Sequence, residues 1–158
     1  MTARSASVLK ARRLRLLLNV YPPYWGTGIR VERIDPDFRH ISVAMPLRWY
    51  NRNYVGCHFG GSLSAMTDPF YMLMVMENLG RDHIVWDQSG SIDYRKPGRG
   101  TVRAEFHIDQ PLIDRLIAAT ANGDKHLETL AVAITDEAGD TVAHVTRTLY
   151  IRRKRGSN

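Results

Sequence analysis

Residues 59–79 read FGGSLSAMTDPFYMLMVMENL, and this stretch decides the fold of the 158-residue chain. Between Phe59 and Met76 its only charged side chain is Asp68. An ordinary surface helix shows one polar face, whereas a helix that is apolar all round is buried on most sides. The sequence therefore predicts a central helix over residues 59–79 that the rest of the chain must cover.

Strand patterns lie on both sides of this segment. In the clearest of them, residues 102–109, apolar and polar residues alternate, so that one face is buried and the other meets water. The other predicted elements are a hairpin with Ile29 and Val31 on one arm and Ile41, Val43 and Met45 on the other, strands over 84–94, 126–135 and 141–151, and a short helix from Pro111 that Gly123 closes. An antiparallel sheet of about six strands, curled around the central helix, is the economical way to bury that helix. We therefore predict an α+β fold.

The length fits a single domain over residues 1–158. A chain of this size buries about two-thirds of its unfolded surface, which supports one sizeable core, and no repeat or linker divides it. Residues 1–27 are predicted to form an N-terminal helix, capped by Ser7, and a connecting segment. Residues 152–158 are predicted to form a basic tail.

The formal charge of +6 is concentrated at the two ends of the chain. The residues concerned are Lys10, Arg12, Arg13, Arg15, Arg152, Arg153, Lys154 and Arg155. No nucleic-acid motif accompanies them, so we expect solvated surface and no nucleic-acid partner. No apolar run approaches the roughly 20 residues of a membrane span, and no membrane partner is expected. The single cysteine, Cys57, cannot form an internal disulfide, which favours a reducing, cytoplasmic location.

Asp68 is the first candidate for chemistry. A carboxylate in a buried helix is costly unless it is hydrogen-bonded, paired or protonated, and such groups are over-represented at functional sites. The alternative is structural, because an aspartate followed by a proline is also typical of a helix N-cap. In that case the helix could kink or restart at Pro69. On the residues alone both interpretations stay open.

Gly60 and Gly61 stand where the predicted helix begins. Glycines at this place let a ligand approach backbone N–H groups that have no intrahelical partner and that favour developing negative charge. Such a site resembles an oxyanion hole. The alternative is that the two glycines only allow tight packing against a strand.

The motif Asn53-Tyr-Val-Gly56-Cys-His58-Phe-Gly60-Gly61, with Asp68 seven residues further on, resembles a pattern of the hot-dog fold thioesterases. In that family, and especially in its phenylacetate-pathway-like branch, the pattern reads Asn-x-x-Gly-x-x-His-Gly-Gly with a downstream Asp. The segment Ile92-Asp-Tyr-Arg-Lys-Pro-Gly-Arg-Gly-Thr-Val is similar to the strand and turn that follow the helix there. The resemblance covers roughly residues 28–151 and is closest to an uncharacterised subgroup of the superfamily.

This resemblance implies a hot-dog fold and action on an acyl thioester such as an acyl-CoA. Carried over residue by residue, it makes the Gly61 N–H the oxyanion donor and Asp68 the general base or nucleophile. Asn53 would orient the carbonyl or the water. The resemblance also implies a homodimer or a tetramer, because the related proteins form each active site between two subunits.

One position departs from the family pattern. Phe59 occupies the place of the usual histidine, and His58 stands one residue earlier. His58 then either reaches the site from the loop or is a structural histidine. We assign His58, Phe59 and Gly60 to substrate binding, together with Lys96 and Arg99 on a turn, where coenzyme A phosphates could meet them.

No metal and no other cofactor are expected. His107 and His144 lie in predicted strands without metal-ligand spacing. Cys57 adjoins His58, but neighbours in sequence rarely meet as nucleophile and base, so no catalytic thiol is predicted. Three functions remain: thioester hydrolysis, which is favoured, a non-catalytic acyl-CoA or lipid-binding module, and an interaction domain that uses the basic ends.

Overall fold

The structure is a computed structural model that describes residues 3–154, with side chains from Ser5 onward. In chain order the elements are α1 (Ala3–Val20), α2 (Pro22–Thr27), β1 (Arg30–Ile34), β2 (His40–Pro46), α3 (Gly60–Ala65), α4 (Phe70–Leu79), β3 (His83–Tyr94), β4 (Thr101–His107), α5 (Gln110–Ala119), β5 (Lys125–Thr135) and β6 (Thr141–Arg153). As predicted, a hairpin precedes the central helical segment, and four strands and a short helix follow it.

The strands form one six-stranded sheet in the order β1, β2, β4, β5, β6, β3, and every pair is antiparallel. Alternation along β4 is as expected, since Val102, Ala104 and Phe106 are buried and the residues between them are exposed. One face of the sheet therefore supplies the core. The outer edges of the sheet are β1 and β3.

The central helices pack on the buried face of this sheet. Phe70 and Tyr71, at the start of α4, each place their ring centroids 5.1 Å from that of Phe106 on β4. The Tyr71 hydroxyl donates a hydrogen bond to the Ala131 carbonyl of β5 at 2.7 Å. The sheet thus covers the apolar segment, and the predicted α+β architecture is confirmed.

A turn over residues 66–69 divides the central helical segment in two. Helix α3 ends at Ala65 and α4 begins at Phe70, which confirms that the helix restarts beside Pro69. The N-cap position of α4 is Pro69, and no side chain caps this helix. The interpretation of Asp68 as a helix cap is therefore wrong. The carboxylate is exposed on the turn instead of buried within a helix.

The N-terminal helix differs from its prediction at both ends. It begins at Ala3, so Ser7 lies inside α1 and is not its cap. The connecting segment also forms a helix of its own, α2, because a proline is well suited to the first helical position. Gly28 closes α2 with a φ of 77°, a left-handed conformation that glycine adopts without strain. Within residues 3–154, no helix has the length and apolar character needed to cross a membrane.

The predicted basic tail begins at residue 152, before the end of the last strand. Strand β6 continues through Arg152 and Arg153, which pair with Ile84 and His83 of β3. The backbone N–H of Lys154 then donates to the Asp82 carbonyl at 2.8 Å. The two arginines are thus part of the sheet, and the rest of the predicted tail, residues 155–158, lies outside the described residues.

Candidate active site

A pocket of about 420 Å³ lies between the start of α3, the loop before it and the end of β3. Its lining consists of Asn53, Cys57, His58, Gly60, Leu63, Tyr94, Arg95, Lys96, Pro97 and Gly98, and we call it the loop pocket. Four predicted site residues line it, namely Asn53, His58, Gly60 and Lys96. The other four, Phe59, Gly61, Asp68 and Arg99, are not part of the lining.

The Asn53 side chain organises the loop that forms one wall of the loop pocket. Its Oδ1 accepts hydrogen bonds from the backbone N–H groups of Val55 and Cys57, both at 3.1 Å. Its Nδ2 donates to Cys57 Sγ at 3.2 Å and to the His58 carbonyl at 3.3 Å. Because both ends of the amide are engaged within the loop, Asn53 fixes the approach to α3.

His58 joins this loop to the turn before β4. Its backbone N–H donates to the Gly98 carbonyl, and its Nε2 lies 3.0 Å from the Gly100 carbonyl oxygen. A carbonyl can only accept, so Nε2 carries the proton and Nδ1 is a buried acceptor that has no hydrogen-bond partner within residues 5–154. Burial lowers the pKa of His58, although the bond to Gly100 opposes this. The neutral ring therefore has a structural role in the wall of the pocket, because it holds the loop and the turn together.

Tyr94 lies directly against the start of α3. A β-carbon placed on Gly60 would be 2.7 Å from the Tyr94 hydroxyl oxygen, which is closer than real β-carbons come to other atoms. Glycine at position 60 therefore allows the phenol to approach the backbone of the first helical turn. This close approach supports the packing interpretation of Gly60, and it adds a hydroxyl group to the loop pocket.

The Phe59 ring lies beside Gly61. A β-carbon on Gly61 would clash with Cε1 of Phe59, while the Phe59 side chain itself is largely exposed. The ring stands at the position where the pattern that the motif resembles has a histidine, next to the backbone that the resemblance assigns to oxyanion binding. Gly61 is exposed as well, so its backbone meets solvent beside the ring.

Asp68 lies on the turn between α3 and α4 and is paired with Arg147 of β6. The closest approach, from Arg147 Nη1 to Asp68 Oδ2, is 3.5 Å. The two side chains differ in exposure, with 53% for Asp68 and 11% for Arg147. The carboxylate thus faces solvent while its cationic partner is held inside the protein.

Arg147 also binds the turn that carries Asp68. Its Nη2 donates to the Ser64 carbonyl at 2.9 Å and to Thr67 Oγ1 at 3.0 Å. Thr67 Oγ1 in turn donates to the Ser64 carbonyl at 2.8 Å. One buried guanidinium therefore fixes both the backbone at the end of α3 and the carboxylate beside it.

Asp87 is a second carboxylate near this pair. Its Oδ1 is buried and has no hydrogen-bond partner within residues 5–154. Burial raises the pKa of Asp87, the charge of Asp68 raises it further, and Arg147 opposes both effects. The Tyr24 hydroxyl donates to the Asp68 carbonyl oxygen, and burial, followed by the Asp68 charge, raises the pKa of Tyr24. These groups form a polar cluster on the buried side of β3 and β6.

Lys96 and Arg99, the two predicted site residues on the turn after β3, have different surroundings. Lys96 Nζ lies 2.6 Å from both Asp136 Oδ2 and Asp140 Oδ2 on the turn between β5 and β6. Hydrogen bonds to Asp136 and Asp140 raise the pKa of Lys96, so its charge is compensated locally. Arg99 is exposed. Of the two, Arg99 is the better placed to attract a phosphate.

Sequence reasoning missed Arg147, Asp87 and Tyr94. The signal for Arg147 was present in the alternation of β6, because Ala143, Val145, Leu149 and Ile151 are buried and Arg147 occupies the middle of the same face. A charge among apolar residues at a period of two marks a buried ion. The burial of Asp87 could not be predicted from alternation, because an irregularity between Asp87 and Ser89 shifts the register of β3 against β6.

The chain matches the sequence pattern of one protein family. The match covers residues 10–151, and the family is described as Domain of unknown function (DUF4442). No curated protein matches the sequence at a significant level.

Solved structures with this fold include several proteins named as thioesterases. A protein of unknown function from Pseudomonas aeruginosa, described as a probable thioesterase, is 21% identical with a TM-score of 0.76, over 90% of this chain and 95% of that one. The Escherichia coli PaaI protein from the phenylacetic acid degradation operon is 15% identical with a TM-score of 0.64, over 98% of both chains. A thioesterase from Haemophilus influenzae is 14% identical with a TM-score of 0.67, over 94% of both chains. At these identities the similarity establishes the fold, and the predicted hot-dog fold is confirmed.

Proposed function

This chain belongs to the family of domains described as DUF4442, and we propose that it hydrolyses an acyl thioester. The observation that carries the proposal is the Asp68–Arg147 pair on the turn after α3. A carboxylate on this turn, held by a buried cation and open to solvent, can meet a water molecule or an acyl group. The fold shared with proteins named as thioesterases supports the same conclusion.

In the proposed reaction Asp68 accepts a proton from water, whose oxygen attacks the acyl carbon. The negative charge that develops on the carbonyl oxygen is stabilised by the Gly61 N–H, which lies in the first turn of α3 and has no acceptor in the helix. The C–S bond then breaks, and the products are a carboxylic acid and a thiol that takes the proton. Direct attack by the Asp68 carboxylate, followed by hydrolysis of the anhydride, gives the same products.

The loop pocket is the proposed binding place for the substrate. Gly60 and Leu63 of α3 and Tyr94 of β3 supply a mainly apolar wall with one hydroxyl group. Exposed Arg99, on the turn beside the pocket, suits the phosphates of a coenzyme A carrier. We therefore propose an acyl-CoA as the substrate class.

Asp68 does not line the loop pocket of its own chain. A site shared between two subunits would resolve this separation, because Asp68 of one chain would act on a thioester in the pocket of the other. Strand β3 has an unpaired outer edge along which a second copy can add. We propose a homodimer, or a tetramer of two such dimers, as the active form.

A second function is supported by the position of Phe59. Its ring lies against Gly61, beside the backbone N–H that a thioester must reach in the proposed reaction. If the ring stays in place, the chain can hold an acyl-CoA or a lipid in the loop pocket without hydrolysing it. A non-catalytic acyl-CoA or lipid-binding module is therefore the alternative.

The test measures the turnover of a panel of acyl-CoA thioesters by detecting the free thiol that is released. Both the parent protein and Asp68→Asn are assayed. The amide keeps the size of the side chain but cannot take a proton from water near neutral pH. We expect the best substrate of the parent to be hydrolysed about 100-fold more slowly by the variant, with little change in Tm. Hydrolysis by Asp68→Asn at the parental rate, or no turnover of any thioester by the parent, would favour the binding module.

A further inference from the structure

Two histidines and one glutamate come together on the solvent-facing side of the sheet, far from the loop pocket. His40 lies at the start of β2, and Glu105 and His107 lie at the end of β4. One donor atom from each of the three side chains lies within 4.8 Å of the donors of the other two. Among the described residues this is the one group of three or more His, Cys, Asp or Glu side chains with such spacing.

The pairing of β2 with β4 creates this cluster. His40 is directly opposite His107, and Ser42 is directly opposite Glu105. Residues two apart on a strand share a face, so His107 and Glu105 point to the same side as their partners on β2. The three donors therefore come from positions that are 65 and 67 residues apart along the chain but adjacent in the sheet. No local spacing in the sequence could reveal this arrangement.

Two of the donors are already in contact, and the third lies beside them. His40 Nε2 lies 2.7 Å from Glu105 Oε2, and the rings of His40 and His107 stack with centroids 4.2 Å apart. Metal–ligand bonds of 2.0–2.2 Å in a tetrahedral site place two ligand atoms about 3.3 Å apart. His107 is exposed, so its ring can turn to bring its nitrogen within this distance.

A hydrogen bond to Glu105 and a carboxylate near His40 lie outside the three donors. Ser42 Oγ donates to Glu105 Oε1 at 2.7 Å, which leaves Oε2 for another partner. His40 Nδ1 lies 3.8 Å from Asp35 Oδ2, on the far side of the ring from Glu105. Carboxylates and hydroxyl groups in these positions orient the ligands of established metal sites and raise their basicity.

We propose that His40, Glu105 and His107 form a binding site for a divalent transition-metal ion, with Zn²⁺ as the ion that suits the donors best. Two imidazoles and one carboxylate are a ligand set typical of zinc, and three protein ligands leave a fourth position for water. The site goes beyond the proposed thioester hydrolysis and does not depend on it. It also replaces the expectation of no metal, which rested on local spacing around His107.

The position of this site predicts a structural effect. The cluster lies at the His40 end of β2, whereas Pro46 at the other end pairs with Thr101, next to the turn that lines the loop pocket. Six residues of strand separate the two ends by about 20 Å. A bound ion would link β2 to β4 and stabilise the folded chain without reaching the thioester.

The experiment is calorimetric titration of Zn²⁺ into chelator-treated, untagged protein at about pH 7.5, since protons compete with metal ions for their ligands. We expect one ion per chain, a dissociation constant on the order of micromolar, and a Tm that rises with Zn²⁺. His107→Gln and Glu105→Gln should each weaken binding by at least about 100-fold, and Ser42→Ala by about 10-fold. Far-UV circular dichroism checks that each variant is folded.

His126→Gln is the matched control. His126 Nε2 lies 2.9 Å from Glu128 Oε2 on β5, so this pair has the same two residue types but, within the part of the chain that the structure describes, belongs to no group of three donors. Zinc binding by His126→Gln should equal that of the parent. If the parent binds zinc no better than His107→Gln, or if the affinity falls with His126 and not with His107, the proposed site does not exist.

Discussion

Arg147 is the counter-ion of Asp68 and at the same time the residue that fixes the turn on which Asp68 stands. Its Nη1 lies 3.5 Å from the Asp68 carboxylate, and its Nη2 donates to Ser64 and Thr67 at the end of α3. A buried guanidinium is costly to desolvate, and these contacts offset the cost although Arg147 Nε has no hydrogen-bond partner within residues 5–154. The proposed catalytic carboxylate is therefore positioned from β6, 79 residues further along the chain.

Replacement of Arg147 should lower thioester turnover through Asp68. Arg147→Met keeps much of the apolar length of the side chain but removes every contact to the turn. We expect kcat to fall by about 10- to 100-fold, because a displacement of about 1 Å in a catalytic group costs this much. Arg147→Lys keeps the charge without the planar fork and should retain an intermediate rate. Steady-state kinetics with the best acyl-CoA measures both.

A comparison of kcat with Tm separates positioning from simple stability. If Arg147 positions Asp68, kcat at a temperature at which every variant is folded should fall more for Arg147→Met than for Arg147→Lys. Variants with the parental kcat and a lower Tm alone would show that Arg147 only stabilises the fold.

Gly90 should be sensitive to the smallest substitution. A β-carbon there would be 3.0 Å from Arg147 Nη1 and 3.1 Å from its Cδ, so Gly90→Ala must push the guanidinium away from its present place. We expect a lower kcat and a modest fall in Tm, measured by the thiol assay and a thermal melt. Gly26→Ala is the control, since a β-carbon there would contact nothing within 4 Å. Equal effects at both positions would contradict this account.

Most of the fold could be predicted because it depends on local patterns. The alternation in β4 and the mainly apolar run over 59–79 each report burial directly; the strand is confirmed, and the buried helical segment is confirmed as two helices instead of one. The differences lie at element ends: Ser7 lies inside α1 instead of capping it, and β6 extends beyond its predicted end at Ile151. The end of β6 depends on pairing with β3, which a local pattern does not contain.

The site could be predicted only in part, for the same reason. Asp68 was found from its isolation among apolar residues, but its partner Arg147 was not, since the pairing crosses from the central segment to the last strand. His40 and His107 are neighbours only through the register of β2 and β4. Of the eight predicted site residues, four line the loop pocket, and whether all eight act in one site stays a prediction.

His58 should make the protein less stable in mild acid. Burial lowers its pKa in the folded state, so the unfolded chain binds a proton first as the pH falls below the ordinary imidazole value of about 6.5. The contribution of His58 to the free energy of unfolding is complete at pH values above the ordinary imidazole pKa. It is lost as the pH falls towards the lower pKa that His58 has in the folded protein. Urea unfolding at about pH 7.5 and pH 5.5 should show this loss. His58→Gln, which can still donate to the Gly100 carbonyl, should show a smaller difference between the two pH values.

The assembly prediction rests on the unpaired edge of β3. Light scattering on the purified protein should give at least twice the 18.0 kDa mass of one chain. A strand of twelve residues with a free edge is a liability for aggregation unless it is covered, and a second copy covers it. A monomer at micromolar concentration would remove the proposed intersubunit site.

Subunit mixing tests whether Asp68 and the loop pocket act together across two chains. Asp68→Asn removes the proposed base, and Gly61→Val blocks the proposed oxyanion donor, so each homodimer should have little activity alone. After the two proteins are unfolded and refolded together, half of the dimers contain one chain of each kind. Each such dimer has one site that combines an intact Asp68 with an intact Gly61, and the mixture should recover about a quarter of the parental activity.

If both groups of a site belong to the same chain, mixing restores nothing, since every chain carries one defect. The activity of refolded parent protein is the reference for full recovery, and mixing without unfolding is the control for subunit exchange. A dimer by light scattering whose mixtures stay inactive would place the whole reaction within one chain.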